Sequence, residues 1–426
     1  MEHGSGIDRR ALLTAGLGLG GFALLGGRGE ARVRLSGPFT KTDGERAGKV
    51  LVLVQLTGGN DGLSTVVPFG DDAYGRARTS TRIAADEVLR IDEYRGLHPA
   101  LKGMKRHYDA GRMAIVEGAG YPDPIRSHFK SYEVWHTGSA RGRSSGEGWV
   151  GRLASAAWAK NETPELVVHV GGTAPYSVYS LTHPPVIFQT PQSYRWVSPE
   201  TDDLATYRKA AEADTVRLDD ARKKKGKTKP TGSEAAIERL RGVLADANES
   251  SARIRRAAVA YETKVAYPAD ELGESLRIVA ALLDARIGSR VVSVELGGFD
   301  SHNNQRAQHD ARMRSLDGAL TAFLDDLKGR SVEDDVLVVV FSEFGRRVQE
   351  NGSRGTDHGT AGPMLVLGSK VKGGLHGKHP SLTELDEGDL IHTTDFRSVY
   401  ATAIDRWFEA DSAKVLGARF KPLPIV

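Results

Sequence analysis

The 426-residue sequence has no cysteine and little net charge. The lack of cysteine excludes disulfide bonds, thiolate metal sites and a cysteine nucleophile, although it does not fix the cellular compartment. Lysine and arginine number 58 against 55 aspartate and glutamate residues, for a formal net charge of +3, so no nucleic-acid partner is specifically implied. A chain of this length can bury a large core, as one large domain or two smaller ones.

The N-terminal segment predicts export. Arg9 and Arg10 precede a short, glycine-rich apolar run, and small residues suited to cleavage follow it. Twin arginines before a weakly apolar region are typical of a Tat signal, and an uncleaved anchor or a chance basic start is the alternative. We expect residues 1–31 to be the signal peptide, the Tat translocase to be a partner during export, and residues 32–426 to form a periplasmic or secreted domain.

Apolar runs alternate with amphipathic helical patterns along the rest of the chain. Continuous apolar runs, most of them ending at glycine, predict strands buried on both faces at 49–62, 112–122, 166–173, 289–302, 334–345 and 363–369. Apolar residues at three- and four-residue steps predict helices at 269–286 and 309–329. This alternation predicts an α/β fold with a mainly parallel central sheet flanked by helices.

One polar segment interrupts the alternation. Residues 201–263 are polar and helix-prone, and a lysine-rich stretch lies at 222–232. The composition predicts a helical cap or insertion whose tip is a solvated basic loop. The functional alternative is that these lysines attract an anionic polymer or lipid.

Acidic and histidine side chains follow the predicted strands at the edge where ligands of open parallel sheets bind. The candidates are Asp61, Asp300, His302 and Glu343 after strands, and Asp357 and His358 in the loop before the run at 363–369. Carboxylates brought together without a cation would raise one another's pKa values, so the set predicts one or more divalent metal ions. Mixed histidine and carboxylate ligation favours zinc, manganese or iron over calcium.

Each candidate also has a purely structural explanation. Asp61 could be a turn residue between glycines, and His302 could begin a helix. Glu343 could pair with a nearby arginine, and Asp357 and His358 could cap their loop. Taken together these explanations are weaker, because independent turns rarely place acids after three successive strands.

Long motifs in order along nearly the whole chain resemble the DUF1501 family, Tat-exported bacterial proteins related to alkaline phosphatases and sulfatases. They include "LVQLTGGNDGLSTVVPF", "RSHFKSYEVWHTG", "GFDSHNNQ" and "SEFGRRVQENGSRGTDHGTAGPMLVLG". The resemblance implies an alkaline-phosphatase-like fold with metal ligands at the sheet edge. It matches Asp61 to the aspartate after the first strand, and His358 to a histidine before a proline-containing strand.

The same resemblance matches Asp300 and His302 to a paired aspartate and histidine, although the usual spacing is wider. Where the superfamily has an Asp–His pair, this sequence has Glu343 and Phe344, so one ligand is kept as glutamate and another is lost. Asp357 is then either a second ligand or the orienting partner of its neighbour. The lost ligand could be replaced by His376, His379 or His392, among which spacing does not choose.

The nucleophile of the superfamily begins a helix, which by resemblance is Ser127 here, with a simple helix cap as the alternative. Ser64 and Thr65 are the second choice. An anionic substrate would be clamped by Arg126, Arg346 or Arg347, because arginine binds phosphate and sulfate in a bidentate way.

The resemblance therefore implies an exported, metal-dependent hydrolase of small or polymeric phosphate or sulfate esters. One metal, on Asp61 and Glu343, would activate Ser127, and a second would lie on Asp300, His302 and His358. The alternative is a non-catalytic secreted scaffold on the same fold. An oxidoreductase is not supported, because no GxGxxG motif follows the first predicted strand. The sequence does not indicate an oligomeric state.

Overall fold

The computed structural model describes residues 48–139, 146–194 and 247–426. Their strands are β1 Val50–Leu56, β2 Val66–Val67, β3 Leu89–Arg90, β4 Gly96–Leu97, β5 Met113–Gly120, β6 Val167–Val170, β7 Val186–Phe188, β8 Val291–Leu296, β9 Val336–Ser342, β10 Gly362–Leu367, β11 Gly374–His376, β12 Leu385–Asp386, β13 Asp389–Leu390 and β14 Thr394–Asp395. Nine of them form the central sheet, in the order β11–β5–β10–β9–β1–β8–β6–β7 with β14 beside β5.

The helices flank this sheet. They are α1 Gly62–Thr65, α2 Asp72–Ala77, α3 Lys102–Asp109, α4 His128–Thr137, α5 Trp149–Ala157, α6 at 247–260, α7 Glu271–Asp284, α8 Gln305–Leu327, α9 Arg397–Ala401 with a π-helical continuation over Thr402–Trp407, and α10 Ser412–Leu416. Short 3-10 turns lie at Pro164–Leu166, Tyr176–Val178 and Glu333–Asp335. The predicted strands and both predicted helices are confirmed, with ends shifted by a few residues.

The pairing of the strands confirms the mainly parallel α/β fold. Strand β1 pairs in parallel with β8 and β9, β6 pairs in parallel with β7 and β8, and β5 pairs in parallel with β11 and β14. Within the described sheet only β10 is antiparallel, between β5 and β9. The segment that enters β10 therefore lies at the same edge as the carboxyl ends of β5, β8 and β9.

The two faces of the sheet bury separate cores. Along β1, Val52 and Val54 face a core that includes α3, α7 and α8, whereas Leu51 and Leu53 face a core that includes α4, α5 and α9. Successive side chains of a strand point to opposite faces, so a strand covered on both sides must be apolar throughout. This requirement explains why β1, buried along its whole length, is apolar except at Gln55, whose Oε1 lies 2.9 Å from His136 Nε2.

Two sequence predictions concern residues that are not described, and a third does so in part. The Tat signal at 1–31 and the basic loop at 222–232 lie outside the described residues. Of the predicted insertion at 201–263, residues 247–260 form α6, and Ile254 of this helix is buried in the core beside α7 and α8. Among the described residues, no helix combines the length and apolar character needed to cross a membrane.

Candidate metal centre

Three segments bring histidine and aspartate side chains together at the carboxyl edge of the sheet. His128 is the first residue of α4, which follows β5. Asp300 and His302 lie in the loop between β8 and α8, and His358 lies in the loop that enters β10. The antiparallel course of β10 is what brings His358 to the same edge as the other three.

The polar atoms of these four side chains are close enough to share one ion. His358 Nε2 lies 3.1 Å from His128 Nε2 and 3.0 Å from His302 Nε2. Asp300 Oδ1 lies 3.1 Å from His358 Nε2 and 3.0 Å from His302 Nε2. His128, Asp300 and His358 offer ligand atoms that all lie within 4.8 Å of one another, and His302 contacts His358 and Asp300 of this triad. The structure thus contains a possible metal-binding triad with a third histidine beside it.

The second nitrogen of each imidazole is held by an acceptor. His128 Nδ1 lies 2.8 Å from Glu343 Oε1, and His302 Nδ1 lies 3.2 Å from Asp357 Oδ1. His358 Nδ1 lies 2.9 Å from the main-chain oxygen of Arg126. A carbonyl and an ionised carboxylate only accept hydrogen bonds, so each Nδ1 carries a proton, and in the neutral form of each ring the lone pair lies on Nε2.

This arrangement fits a metal ion. When the rings are neutral, facing Nε2 lone pairs about 3 Å apart cannot hydrogen-bond to one another, and a cation placed among them would relieve their repulsion. In tetrahedral zinc sites the ligand atoms lie about 2.0–2.1 Å from the metal, which places neighbouring ligand atoms roughly 3.3 Å apart. Metal-ligating histidines also usually donate their other ring N–H to a carboxylate or carbonyl.

The carboxylates around the histidines are held in their charged form. Partial burial would raise the pKa of Asp300, but contacts with Arg346 and His358 outweigh it and set that pKa well below its ordinary value. Burial also opposes ionisation of Glu343, yet hydrogen bonds from His128 and the Gly58 amide lower its pKa. The hydrogen bond to Glu343 in turn raises the pKa of His128. Negative charge is thus available on both sides of the His128 ring.

Arg346 connects three loops beside the site, and its burial does not support its predicted role as a substrate clamp. Its side chain is 0% exposed. Nε donates to the Gly59 carbonyl at 2.7 Å and Nη1 donates to the Thr356 carbonyl at 2.8 Å. Nη2 donates to the Phe299 carbonyl at 3.0 Å and to Asp300 Oδ1 at 2.8 Å. One guanidinium therefore joins the loops after β1 and β8 to the loop before β10.

Asp61 is not brought to the cluster, so the metal ligand predicted there is not supported. Arg78 donates from Nη1 to Asp61 Oδ2 at 2.6 Å and from Nη2 to Oδ1 at 3.1 Å, and neither side chain is exposed. Ser64 Oγ donates to Oδ2 at 2.7 Å, and Thr65 Oγ1 donates to the Asp61 carbonyl at 2.9 Å. Both carboxylate oxygens are occupied, and the buried hydroxyls of Ser64 and Thr65 are unsuited to act as nucleophiles.

Glu343 and Asp357 lie next to the cluster, but they contact histidine side chains and do not point to a shared metal position. Both were candidate ligands, and each contacts the Nδ1 atom of a histidine instead. Asp357 orients His302 rather than its chain neighbour His358. These two carboxylates therefore orient the histidines. Of the two metal sites that the resemblance implies, the one on Asp61 and Glu343 is not supported.

The predicted nucleophile and anion clamp remain predictions. Ser127 is the exposed N-cap residue of α4, and its hydroxyl makes no capping hydrogen bond. It immediately precedes His128, so its backbone is fixed beside the cluster. Arg126 Nε donates to Asp389 Oδ2 at 2.6 Å, and Nη2 donates to Glu387 Oε2 at 2.9 Å. Through its main-chain oxygen, Arg126 also orients His358.

His128 is the site residue that the sequence prediction did not assign. The sequence could have indicated it, because residues 112–122 were predicted as a strand. The start of the helix after that strand lies at the same edge of the sheet, and His128 is at this start. Phe344 fills the position of the lost ligand, and its ring centroid lies 4.8 Å from those of both His128 and His358. The alternatives at His376, His379 and His392 do not contact the described triad.

An open α/β sheet with a histidine–carboxylate cluster at its carboxyl edge defines this molecule as an α/β protein with a candidate metal centre. The chain belongs to the family described as "Protein of unknown function (DUF1501)", whose sequence model matches residues 107–417. The predicted family is therefore confirmed. No protein of curated function matches the sequence significantly.

Similar solved structures come from the superfamily named above. A protein in the alkaline phosphatase superfamily from Vibrio parahaemolyticus is 11% identical, with 87% of this chain and 69% of that chain covered and a TM-score of 0.38. The lipoteichoic acid synthase LtaP from Listeria monocytogenes is 10% identical, with 78% and 66% covered and a TM-score of 0.32. A 2-O GAG sulfatase is 9% identical, with 77% and 65% covered and a TM-score of 0.29. At these scores the likeness carries no argument about activity, which has to rest on the site itself.

Proposed function

We propose that this protein is a metal-dependent hydrolase of phosphate or sulfate esters, with the metal held by His128, Asp300 and His358 and by His302 beside them. The observation that carries the proposal is the convergence of three imidazole Nε2 atoms and a carboxylate, with every Nδ1 atom held by an acceptor. This donor set suits zinc or manganese better than calcium or magnesium, which prefer oxygen ligands.

The site is open enough for a substrate to reach it. The side chains of Asp300 and His302 are 50% and 42% exposed, whereas those of His128 and His358 are about one quarter exposed. A bound divalent metal would polarise the ester oxygen and lower the pKa of a nucleophilic hydroxyl or water. Hydrolysis consumes one water and releases an alcohol together with inorganic phosphate or sulfate.

The protein side chains have separate tasks in this proposal. Asp300 would supply negative charge to the metal, and Arg346 holds that carboxylate in place. Ser127 is the candidate nucleophile because it is exposed and adjacent to His128. Arg126 and Arg347, the other two predicted clamps, retain solvent exposure of 37% and 34%, so they are the candidates for contacting the anionic group.

Export belongs to the same proposal and rests on the sequence alone. The twin arginines at positions 9 and 10 before a weakly apolar run support transport of the folded chain by the Tat translocase. The substrates would then be small or polymeric anionic esters in the periplasm or outside the cell. Fractionation of the native host, with and without an Arg9→Lys plus Arg10→Lys change, tests this; cytoplasmic protein in both cases would contradict it.

The first test is metal content. Protein purified from its native host should contain about one equivalent of a transition metal by elemental analysis, and Asp300→Ala plus His358→Ala should lose it. His376→Ala is the matched control, because His376 only contacts the Lys372 carbonyl, at 3.0 Å. Folding of all variants is checked by circular dichroism.

The metal-loaded protein is then assayed against phosphate and sulfate esters. Hydrolysis that disappears in the double variant supports the proposal. A correctly folded, metal-free wild type would contradict it. Bound metal without hydrolysis would favour the non-catalytic scaffold. Two features agree with that role: Asp61 is paired with Arg78, and Phe344 stands where the superfamily has a histidine ligand.

A further inference from the structure

A cleft of about 150 Å³ adjoins the metal centre. One wall is the loop after β5, with Pro122 and Ile125, and the other is formed by the β12–β13 hairpin and the residues after it, with Leu390 and Ile391. Phe344 lies among the lining residues, and its ring also contacts the rings of His128 and His358. Phe344 is thus shared by the cleft and the cluster.

Polar contacts fix the two walls relative to each other. The hairpin turns at Glu387 and Gly388, both with positive φ of 50° and 91°, as expected for a tight two-residue turn. Arg126, at the end of the first wall, donates to Glu387 and to the buried Asp389 of the hairpin. Thr360 Oγ1 donates to the Leu390 carbonyl. The cleft is therefore a formed feature whose width is set by these contacts rather than a gap between loose loops.

The lining of the cleft selects against a second anionic group. Most lining residues are apolar; the acidic ones are Asp123 and Asp386, both exposed, and the lining also includes the half-buried His392. Ile391, 49% exposed, is one of the few large apolar side chains that the described residues present to solvent, and it lies at this cleft. An apolar cavity of about this volume in another protein holds one benzene ring.

We infer that the cleft binds the alcohol part of the ester, and that this part is an uncharged apolar ring of about six atoms. The inference rests on the proposed function, because the anionic head of the same molecule would lie at the metal centre, whose His128 and His358 rings Phe344 also contacts. Ile391 and Leu390 would then determine specificity for the alcohol group, whereas the cluster would recognise the anion.

The test uses non-hydrolysable phosphonates with the metal-loaded, full-length protein. Phenylphosphonate and methylphosphonate share the anionic head and differ in the ring. We expect phenylphosphonate to bind at least about tenfold more tightly by calorimetry, since a hydrophobic pocket distinguishes such groups by roughly 10- to 200-fold. Ile391→Ser should reduce the preference to about threefold or less without changing methylphosphonate affinity. Ile391 is half exposed, so this substitution leaves the core intact.

The outcomes separate this inference from the proposed function. Equal binding of the two phosphonates, or a preference that Ile391→Ser leaves unchanged, would overturn the cleft assignment while the metal centre stands. Phenol, which has the ring without the anion, should still perturb the NMR signals of cleft residues in Asp300→Ala. If neither phosphonate binds but phenol does, the cleft assignment survives and the hydrolase proposal fails. Tighter binding of a cyclic polyol phosphonate than of phenylphosphonate would also overturn the apolar assignment.

Discussion

The choice of which ring nitrogen carries the proton decides what the cluster can bind. Glu343 is 0% exposed where it meets His128, whereas Asp357 is 54% exposed where it meets His302. A buried carboxylate is screened less by water, so it orients its histidine more strongly than an exposed one. The two supporting carboxylates should therefore differ in importance although their geometry is similar.

We expect Glu343→Gln to weaken metal binding by about 10- to 100-fold, the usual effect of losing an orienting partner of a metal-ligating histidine. Asp357→Asn, the matched change at the exposed position, should weaken it by less than about tenfold. Competition with a chromophoric chelator measures both affinities. Equal losses for the two variants would show that the contact with Glu343 has no special role.

Arg346 offers a second prediction about a single side chain. Lysine keeps the charge but lacks the planar group that donates to three loops, so Arg346→Lys should leave buried carbonyls unpaired. We expect the free energy of unfolding to fall by about 3 kcal/mol in urea titrations. Arg347→Lys is the control, since that side chain is one third exposed and lies 3.5 Å from Asp389; it should change stability by less than about 1 kcal/mol. Similar values for both variants would contradict the loop-joining role.

The segment between β1 and the end of α2 is held by one buried ion pair. Asp61 precedes α1, and Arg78 is the C-cap residue of α2. Burial would raise the pKa of Asp61, but the Arg78 guanidinium outweighs it and sets that pKa well below its ordinary value. Arg78 also donates to the Val348 carbonyl, so the pair connects this segment to the loop after β9.

Asp61→Asn separates the two roles considered for Asp61. As an ion-pair residue, its replacement should cost about 3–5 kcal/mol in urea unfolding, because Arg78 is left as an unpaired buried charge, while metal stoichiometry stays unchanged. The double change Asp61→Leu plus Arg78→Met should recover part of this loss. Loss of metal from a folded Asp61→Asn protein would restore the sequence-based ligand assignment.

The elements of the sheet were more predictable from sequence than the residues of the site. Buried strands have a local signature, since β1 is largely apolar on both faces, and β9 and the buried part of β10 follow the same rule. The same pattern placed Asp300 and His358 at one edge. It could not reveal that Asp61 faces Arg78, 17 residues along the chain, or that His128 completes the triad with residues more than 170 positions away. Such pairings depend on tertiary contacts, and a turn aspartate looks the same in sequence whether it meets an arginine or a metal.

The whole molecule buries histidines that must stay neutral. Burial lowers the pKa of His136 and His169 to about 4, and that of His309 to about 3. An unfolded histidine has a pKa near 6.5, so the unfolded chain binds more protons than the folded one between about pH 6.5 and 4. The stability from each histidine is present above that unfolded value and is lost as the pH falls.

The free energy of unfolding should therefore decrease below about pH 6.5, by about 1.4 kcal/mol per pH unit for each such histidine. Urea titrations between pH 7.5 and 5 measure this slope. His169 is 0% exposed, and His169→Asn should make the slope shallower by about 1.4 kcal/mol per pH unit. An identical slope in the variant would show that His169 does not stay neutral in the folded protein.

The long sequence separations within the cluster have a consequence for how the protein matures. His128 and His358 are 230 residues apart, and His302 and His358 are 56 residues apart. No short fragment can offer the complete set, so tight loading with metal requires the folded chain, and loading in turn stabilises that chain. At a free metal concentration one hundred times the dissociation constant, this linkage amounts to about 2.7 kcal/mol. Metal supply would then act as a quality check, because chains folded without it would open more often and be degraded sooner.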